Sequence, residues 1–233
     1  MTGTLINIAT VLAGTGIGVT VGGRLSASAQ QRVLAGLGMI TLVIGIELAL
    51  GWRDTSPLYV LGGILVGGLI GEALGIERRL EAFGDLIQRR LARGPGSGAS
   101  TLSEGFVTAS LLFCVGSLTV VGSIQDGLTG DYSTLATKAV LDGFAAIALA
   151  ATLGWGVGLS ALTILLVQGT LTLGAGLFDE LLQGEALAAL TSAGGVTIIG
   201  IALRLLDLKD VKVGNFLPAL VVAPALVGLF SLF

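Results

Sequence analysis

Histidine is absent from this 233-residue chain, and cysteine occurs once, as Cys114. These two gaps exclude zinc sites built on His and Cys, Cys–His catalysis and internal disulfides. No metal ligation and no cofactor are expected. Charge is also scarce: Asp, Glu, Lys and Arg make up 12% of the residues, about half the ~25% of a soluble domain. The net charge is only −3. With no basic patch interleaved with aromatics, that excludes nucleic acid as a partner. No nucleotide loop or nucleophile motif occurs. Gly122-Ser123-Ile124-Gln125-Asp126-Gly127 is not a hydrolase elbow, because the flanking pattern and a histidine base are both missing. An enzyme would have to work with carboxylates alone, so the expectation is a protein that is not an enzyme.

What is present is apolar. Hydrophobic residues reach 53% and the mean hydropathy is +0.96. The 38 glycines fit packed transmembrane helices, where small residues let backbones approach. Eight runs are long enough to cross a bilayer. They are Leu5–Gly23, Val33–Leu50, Leu58–Ile76, Phe106–Ile124, Leu135–Leu153, Val157–Gly176, Thr191–Asp207 and Gly214–Leu232. The seventh is the shortest. The first follows Met1 with no basic region before it, so it reads as a retained span. The fold class expected is all-α and polytopic.

Lys and Arg set the expected orientation. Alternate loops place Arg24, Arg32, Arg78, Arg79, Arg89, Arg90, Arg93, Arg204, Lys209 and Lys212 on one side. Only Arg53 and Lys138 belong to the other. The rich side reads as the inner side and both termini as outside. Trp52 and Tyr59 then mark the outer boundary and Trp155 the inner one.

Four segments follow: spans 1–3 over residues 1–76, an inner-face segment over 77–104, spans 4–6 over 105–176, and an outer loop with spans 7–8 over 177–233. In the second, Leu80, Phe83, Ile87 and Leu91 recur at helical spacing among arginines, which predicts a basic amphipathic helix on the inner surface. Residues 94–100 read as a flexible linker. Short matches at offsets of about 101 to 107 align spans 1–3 with spans 4–6; one is Val33-Leu34-Ala35-Gly36-Leu37 against Val140-Leu141-Asp142-Gly143-Phe144. A three-span unit followed by its copy must be inverted, as in many transporters.

Two glycine rows, Gly14/Gly18/Gly22 and Gly63/Gly67/Gly71/Gly75, each share one helix face. They suit packing within the chain or a homo-oligomer interface. Gly14, Gly16 and the pair Gly67-Gly68 could also loosen a helix near the midplane.

The residues singled out as a solute or ion path are Gln125, Asp126, Lys138, Asp142, Gln168 and Asn215. Lys138 is expected one turn inside the outer boundary and Asp142 one turn deeper, with no charge near any span's centre. Gln125, Asp126, Lys138 and Asp142 are expected to form one inward-facing cluster, which either binds solute or holds spans 4 and 5 together. Gln168, at the middle of span 6, is either helix glue or path lining. Asn7 and Asn215 read as caps or interfacial hydrogen bonds, and Glu47 and Glu72 as snorkelling carboxylates.

The run GSIQDGLTGD (residues 122–131), Lys138, Asp142-Gly143, Gln168-Gly169 and the tail from Leu208 to Leu220 carry a resemblance. They resemble the bacterial inner-membrane family called domain of unknown function 554, the YqgA/YdfK-like proteins. Gly3–Gly23, with Asn7, is also similar. The resemblance implies a polytopic membrane protein described loosely as a transporter, and supplies no solute or site. The functional expectation is a transporter or channel for a small solute or ion. The alternative is a non-transporting membrane scaffold or regulatory protein.

Overall fold

The computed structural model describes residues 1–80, 82, 99–115 and 117–230. Among them the chain is helical, with no strand. The helices are α1 (Thr2–Gly22), α2 (Ala27–Ala49), α3 (Pro57–Leu74), α4 (Ala99–Cys114), α5 (Ser117–Leu128), α6 (Ser133–Leu153), α7 (Gly156–Leu173), α8 (Ala175–Leu181), α9 (Gly184–Leu205) and α10 (Ala219–Phe230). Short 3₁₀ turns at Leu50–Asp54 and Val213–Phe216 extend α2 and precede α10. The boundaries follow local chemistry. Ser26 caps α2 and Ser56 caps α3, whose first residue is Pro57. Gly75 ends α3 at φ 61°, a left-handed conformation that costs glycine nothing.

Among the described residues, seven helices are long and apolar enough to cross a membrane. The eighth expected span is broken: the helix over Leu102–Cys114 and that over Leu118–Leu128 meet at 62°. Close contacts give the helix directions. Gly14, Gly18 and Gly22 of α1 lie against Gly143, Ala150 and Ala151 of α6, so these two helices run parallel. The α4–α7 pair is also parallel, with Leu102 against Gly156 and Ser110 bonded to Thr163 at 2.9 Å. α3 runs antiparallel to α10, where Gly63, Gly67 and Gly71 meet Ala223, Ala219 and Asn215. α2 runs antiparallel to α9, where Gly38 and Gly45 meet Leu206 and Ile199. For α6 to run parallel to α1, the chain must change faces between α3 and α6. The bent α4–α5 pair therefore carries it across. The protein is a polytopic all-α membrane protein.

Both glycine rows serve packing inside the chain. A Cβ on Gly14, Gly18 or Gly22 would strike the α6 backbone, and one on Gly67 or Gly71 would strike Ala219 or Asn215. α1 and α3 are unbroken, contrary to the expectation that their glycines loosen them, because neighbouring helices occupy the space those glycines leave. The break falls instead between Cys114 and Ser117.

The seventh span also departs from expectation. α9 covers 22 residues, and Ala193, Ile198, Ile201 and Ala202 on it are buried. Gly194 and Gly195 lower its apolarity but bring it against Val115 and Ala49. The core joins Val11, Leu149, Ile164, Ile198 and Ile201. Lipid-facing side chains include Ile40 and Val43 on α2 and Leu65 and Leu69 on α3, all exposed. Of the expected surface helix, residues 76–80 are helical and Leu80 packs on the core. Phe83, Ile87, Leu91 and most of the linker lie outside the described residues, while Ala99 and Ser100 belong to α4.

Candidate functional site

The break in the fourth span strips two helix ends of their hydrogen-bond partners. The carbonyl of Phe113, near the end of α4, accepts a hydrogen bond from Lys138 Nζ at 2.6 Å. It accepts a second from Thr119 Oγ1, on the first turn of α5, at 3.1 Å. Lys138 is also paired with Asp142 Oδ2, one turn along α6. Asn7 Nδ2 of α1 donates to the same Oδ2 at 2.9 Å. Three helices thus meet at the break through one ammonium, one carboxylate and one amide, all buried. α6 covers Ser133–Leu153, so Asp142 lies at its middle. The expectation that no charge sits near a span's centre is corrected. A charge there needs partners, and Asp142 has two.

Asp126, on α5, forms a second centre nearer the N-terminal face. Its side chain is 2% exposed, and its Oδ2 pairs with the Met1 ammonium at 2.9 Å. The Gly3 N–H donates to the same oxygen at 3.0 Å. Gln125 points elsewhere. Its Nε2 donates to Asp131 at 2.9 Å, and its Oε1 accepts from Thr134 Oγ1 at 2.8 Å. This third group pins the loop between α5 and α6. The Ser133 N–H also donates to Asp131, which holds that carboxyl below its ordinary range. The single cluster expected from sequence is therefore three groups, two of which bond to α1. Adjacent positions on a helix point apart by about 100°, so Gln125 and Asp126 cannot share a target.

Gln168 is fully buried on α7, and neither its Oε1 nor its Nε2 has a hydrogen-bond partner among the described residues. It lies in the last third of α7, nearer the N-terminal face than expected. Thr4 Oγ1, Asn7 Oδ1, Ser123 Oγ and Thr172 Oγ1 are likewise buried without partners.

Asn215 lies at the opposite face, away from these groups. Its Oδ1 accepts from the Glu77 N–H at 2.8 Å and its Nδ2 donates to Glu72 at 2.6 Å. Glu77 Oε2 accepts from the Gly214 N–H at 2.7 Å, while its Oε1 pairs with Arg204 at 3.2 Å. Arg204 also reaches Glu104 at 3.5 Å and Asp210 at 3.6 Å. Arg204 and Glu77, which the sequence did not single out, are the hub of this end. Glu47 is exposed, whereas Glu72 is tied to Asn215.

A cavity of about 570 Å³ opens between α4, α5, α7 and α10. Phe106, Leu111, Val120, Leu171 and Leu220 line it, and Ser110 and Thr163 within it bond each other. Gln168 and Asp126 are not among its lining residues.

A family model described as "Protein of unknown function (DUF554)" matches residues 2–228. The "Uncharacterized membrane protein YdfK" of Bacillus subtilis (strain 168) is 30% identical over 235 residues, which cover 100% of this chain and 98% of that protein. The "Uncharacterized protein YqgA" of Escherichia coli (strain K12) is 30% identical over 224 residues, covering 95% and 94%. No solved structure matches.

Proposed function

The chain belongs to the DUF554 family of membrane proteins, and from its own geometry we propose that it carries a small solute or ion across the membrane. The observation that carries this reading is the mid-membrane break at Cys114–Ser117, with Lys138, Asp142 and Asn7 bonded around it. Discontinuous helices place helix-end dipoles and free backbone groups at the midplane, where transporters bind their cargo. A structural protein gains little from an ion pair at that depth, because burying two charges costs several kcal/mol each.

The reading has two ends. The Asp126 group closes the N-terminal face, and the Arg204 network ties α3, α4, α9 and the approach to α10 at the opposite face. Both would have to open in turn. The N-terminal face is assigned outside and the arginine-rich face to the cytoplasm, in a bacterial inner membrane. α1 and α4 start at opposite faces, so if spans 1–3 and 4–6 are copies they are inverted copies.

A second reading rests on the apolar cavity. A groove of that size, lined mostly by apolar side chains, suits a non-transporting protein that holds an apolar partner. Flux separates the two. Proteoliposomes containing the purified protein are loaded with monovalent ions, fluoride or small organic acids. Release above that of protein-free vesicles is expected for at least one solute. Folded protein giving no release across the panel would overturn the transport reading and leave the second.

A further inference from the structure

We propose that the unpartnered polar atoms of α1, α5 and α7 form a binding site for one dehydrated monovalent cation, lying between Asp126 and Asp142. The proposal rests on the transport reading for the cation's passage, and it names the cargo or coupling ion of that path.

The atoms are brought together by helix register. α7 runs antiparallel to α1, with Gly169 beside Met1 and Gly158 beside Thr15. That register puts Gln168 at the level of Thr4. On α5, Gly127 packs against the carbonyl of Thr172. One turn further in, Ser123 on α5 and Gln168 on α7 stand at similar depth. Asp126 bonds Gly3 and Asp142 bonds Asn7, so the two carboxylates bracket Thr4 on α1. On this register Thr4 Oγ1, Asn7 Oδ1, Ser123 Oγ and Gln168 Oε1 and Nε2 lie between the two carboxylates, and Thr172 Oγ1 lies one turn nearer the N-terminal face on α7; each is buried without a partner among the described residues.

An unsatisfied buried polar atom costs about 1 to 3 kcal/mol, and folded proteins keep few of them. So many in one place call for an occupant. Its chemistry follows from the donor inventory. Asn7 is oriented by its Nδ2 bond to Asp142, so its free atom is a carbonyl oxygen, which can only accept. Gln168 Oε1 is a second obligate acceptor. Hydroxyls can present their oxygens. Five oxygens face one nitrogen, an arrangement that suits a cation and leaves an anion facing carbonyl lone pairs. Both carboxylates are engaged through Oδ2.

Valence narrows the class. The Met1 ammonium balances Asp126 and Lys138 balances Asp142, so the column starts electrically neutral. A divalent ion takes several carboxylates, and among the described residues no three His, Cys, Asp or Glu side chains gather. A single positive charge held by neutral oxygens is the case that fits.

The test is thermal unfolding of the purified protein at constant ionic strength, with choline chloride replaced by lithium, sodium, potassium or ammonium chloride. A saturable rise in midpoint is expected for at least one cation. Half-saturation should move up at least about tenfold in Gln168→Leu, and similarly in Thr172→Val, while both variants melt in choline no lower than wild type because an orphaned group has been removed. Equal wild-type midpoints in every salt overturn the proposal, as does an undiminished cation response in both variants. Ser123→Ala serves if either variant fails to fold. Running the flux assay beside it keeps the two ideas separate. Cation-dependent melting without flux retains the site and rejects transport. Flux of another solute with no cation response retains transport and rejects the site.

Discussion

Lys138 donates its ammonium to the carbonyl of Phe113, 25 residues earlier and on another helix. The bond joins the end of a broken helix to the middle of an intact one. It also explains why the break is tolerated in the membrane: the freed carbonyl is not left bare. The charge that satisfies the break is itself neutralised by Asp142.

The first prediction follows from that dependence. Lys138→Met alone leaves a buried carboxylate unpaired and should cost about 3 to 5 kcal/mol of stability. Asp142→Leu alone should cost a similar amount. The double replacement should recover much of the loss, because two apolar side chains need no partners. A double-mutant cycle of unfolding in detergent measures the coupling. Strictly additive losses would show that the pair does not act as a unit.

A second prediction concerns the Asp126 group. Under the transport reading, Asp126→Asn keeps expression and assembly but lowers flux. If flux is unchanged while the melting midpoint drops, the group is a structural clasp between α1 and α5.

Packing gives a third. Gly18→Ala places a methyl against the backbone of Ile147 and against Ala150. Overpacking of this kind costs about 1 to 3 kcal/mol. Gly16, two residues away, faces open space. Gly16→Ala should be neutral, or stabilising by up to about 1 kcal/mol through helix propensity. Melting midpoints of the two variants should move in opposite directions or differ clearly. Equal midpoints would contradict the close α1–α6 approach.

The loop between α5 and α6 supplies a pH prediction. The Ser133 N–H lowers the Asp131 pKa from its ordinary value of 3.8. A carboxyl lowered on folding stabilises the folded state fully above its unfolded pKa, and that contribution is lost as pH falls through the folded value. Wild type should therefore melt slightly above Asp131→Asn near neutral pH. The gap should close in acid, and a gap that widens there would contradict the assignment.

The last prediction is topological. In a Cys114→Ala background, a cysteine at Thr129 should react with an impermeant thiol reagent added outside intact cells, and one at Lys209 should not. The reverse pattern would invert the orientation.

Long apolar runs made most of the spans legible, because a bilayer selects for length and apolarity alone. The break was not legible. Phe113-Cys114-Val115 is as apolar as the rest of its span, and only a partner such as Lys138 shows where the helix stops. α9 looked weak because Thr191, Ser192, Gly194 and Gly195 dilute its hydropathy, yet small residues are what a helix buried among others requires. Asn7 read as a cap because of its position near a helix start; its partner lies 135 residues away, beyond any local pattern. Lys138 with Asp142 was legible because four residues bring two side chains together on any helix.

The pairing of the helices also dictates when this protein can finish assembling. α1 packs on α6, α2 on α9 and α3 on α10, so each of the first three helices leaves the ribosome long before its main neighbour exists. Until then, the glycine rows face lipid, and Asn7 sits in hydrocarbon with no carboxylate to bond. The first three spans must wait as separate insertions, and the bundle can close only when the C-terminal helices arrive. The site at the helix break draws only on α1, α4, α5 and α6, so it can assemble as soon as α6 is inserted, while the partners of α2 and α3 are still to come.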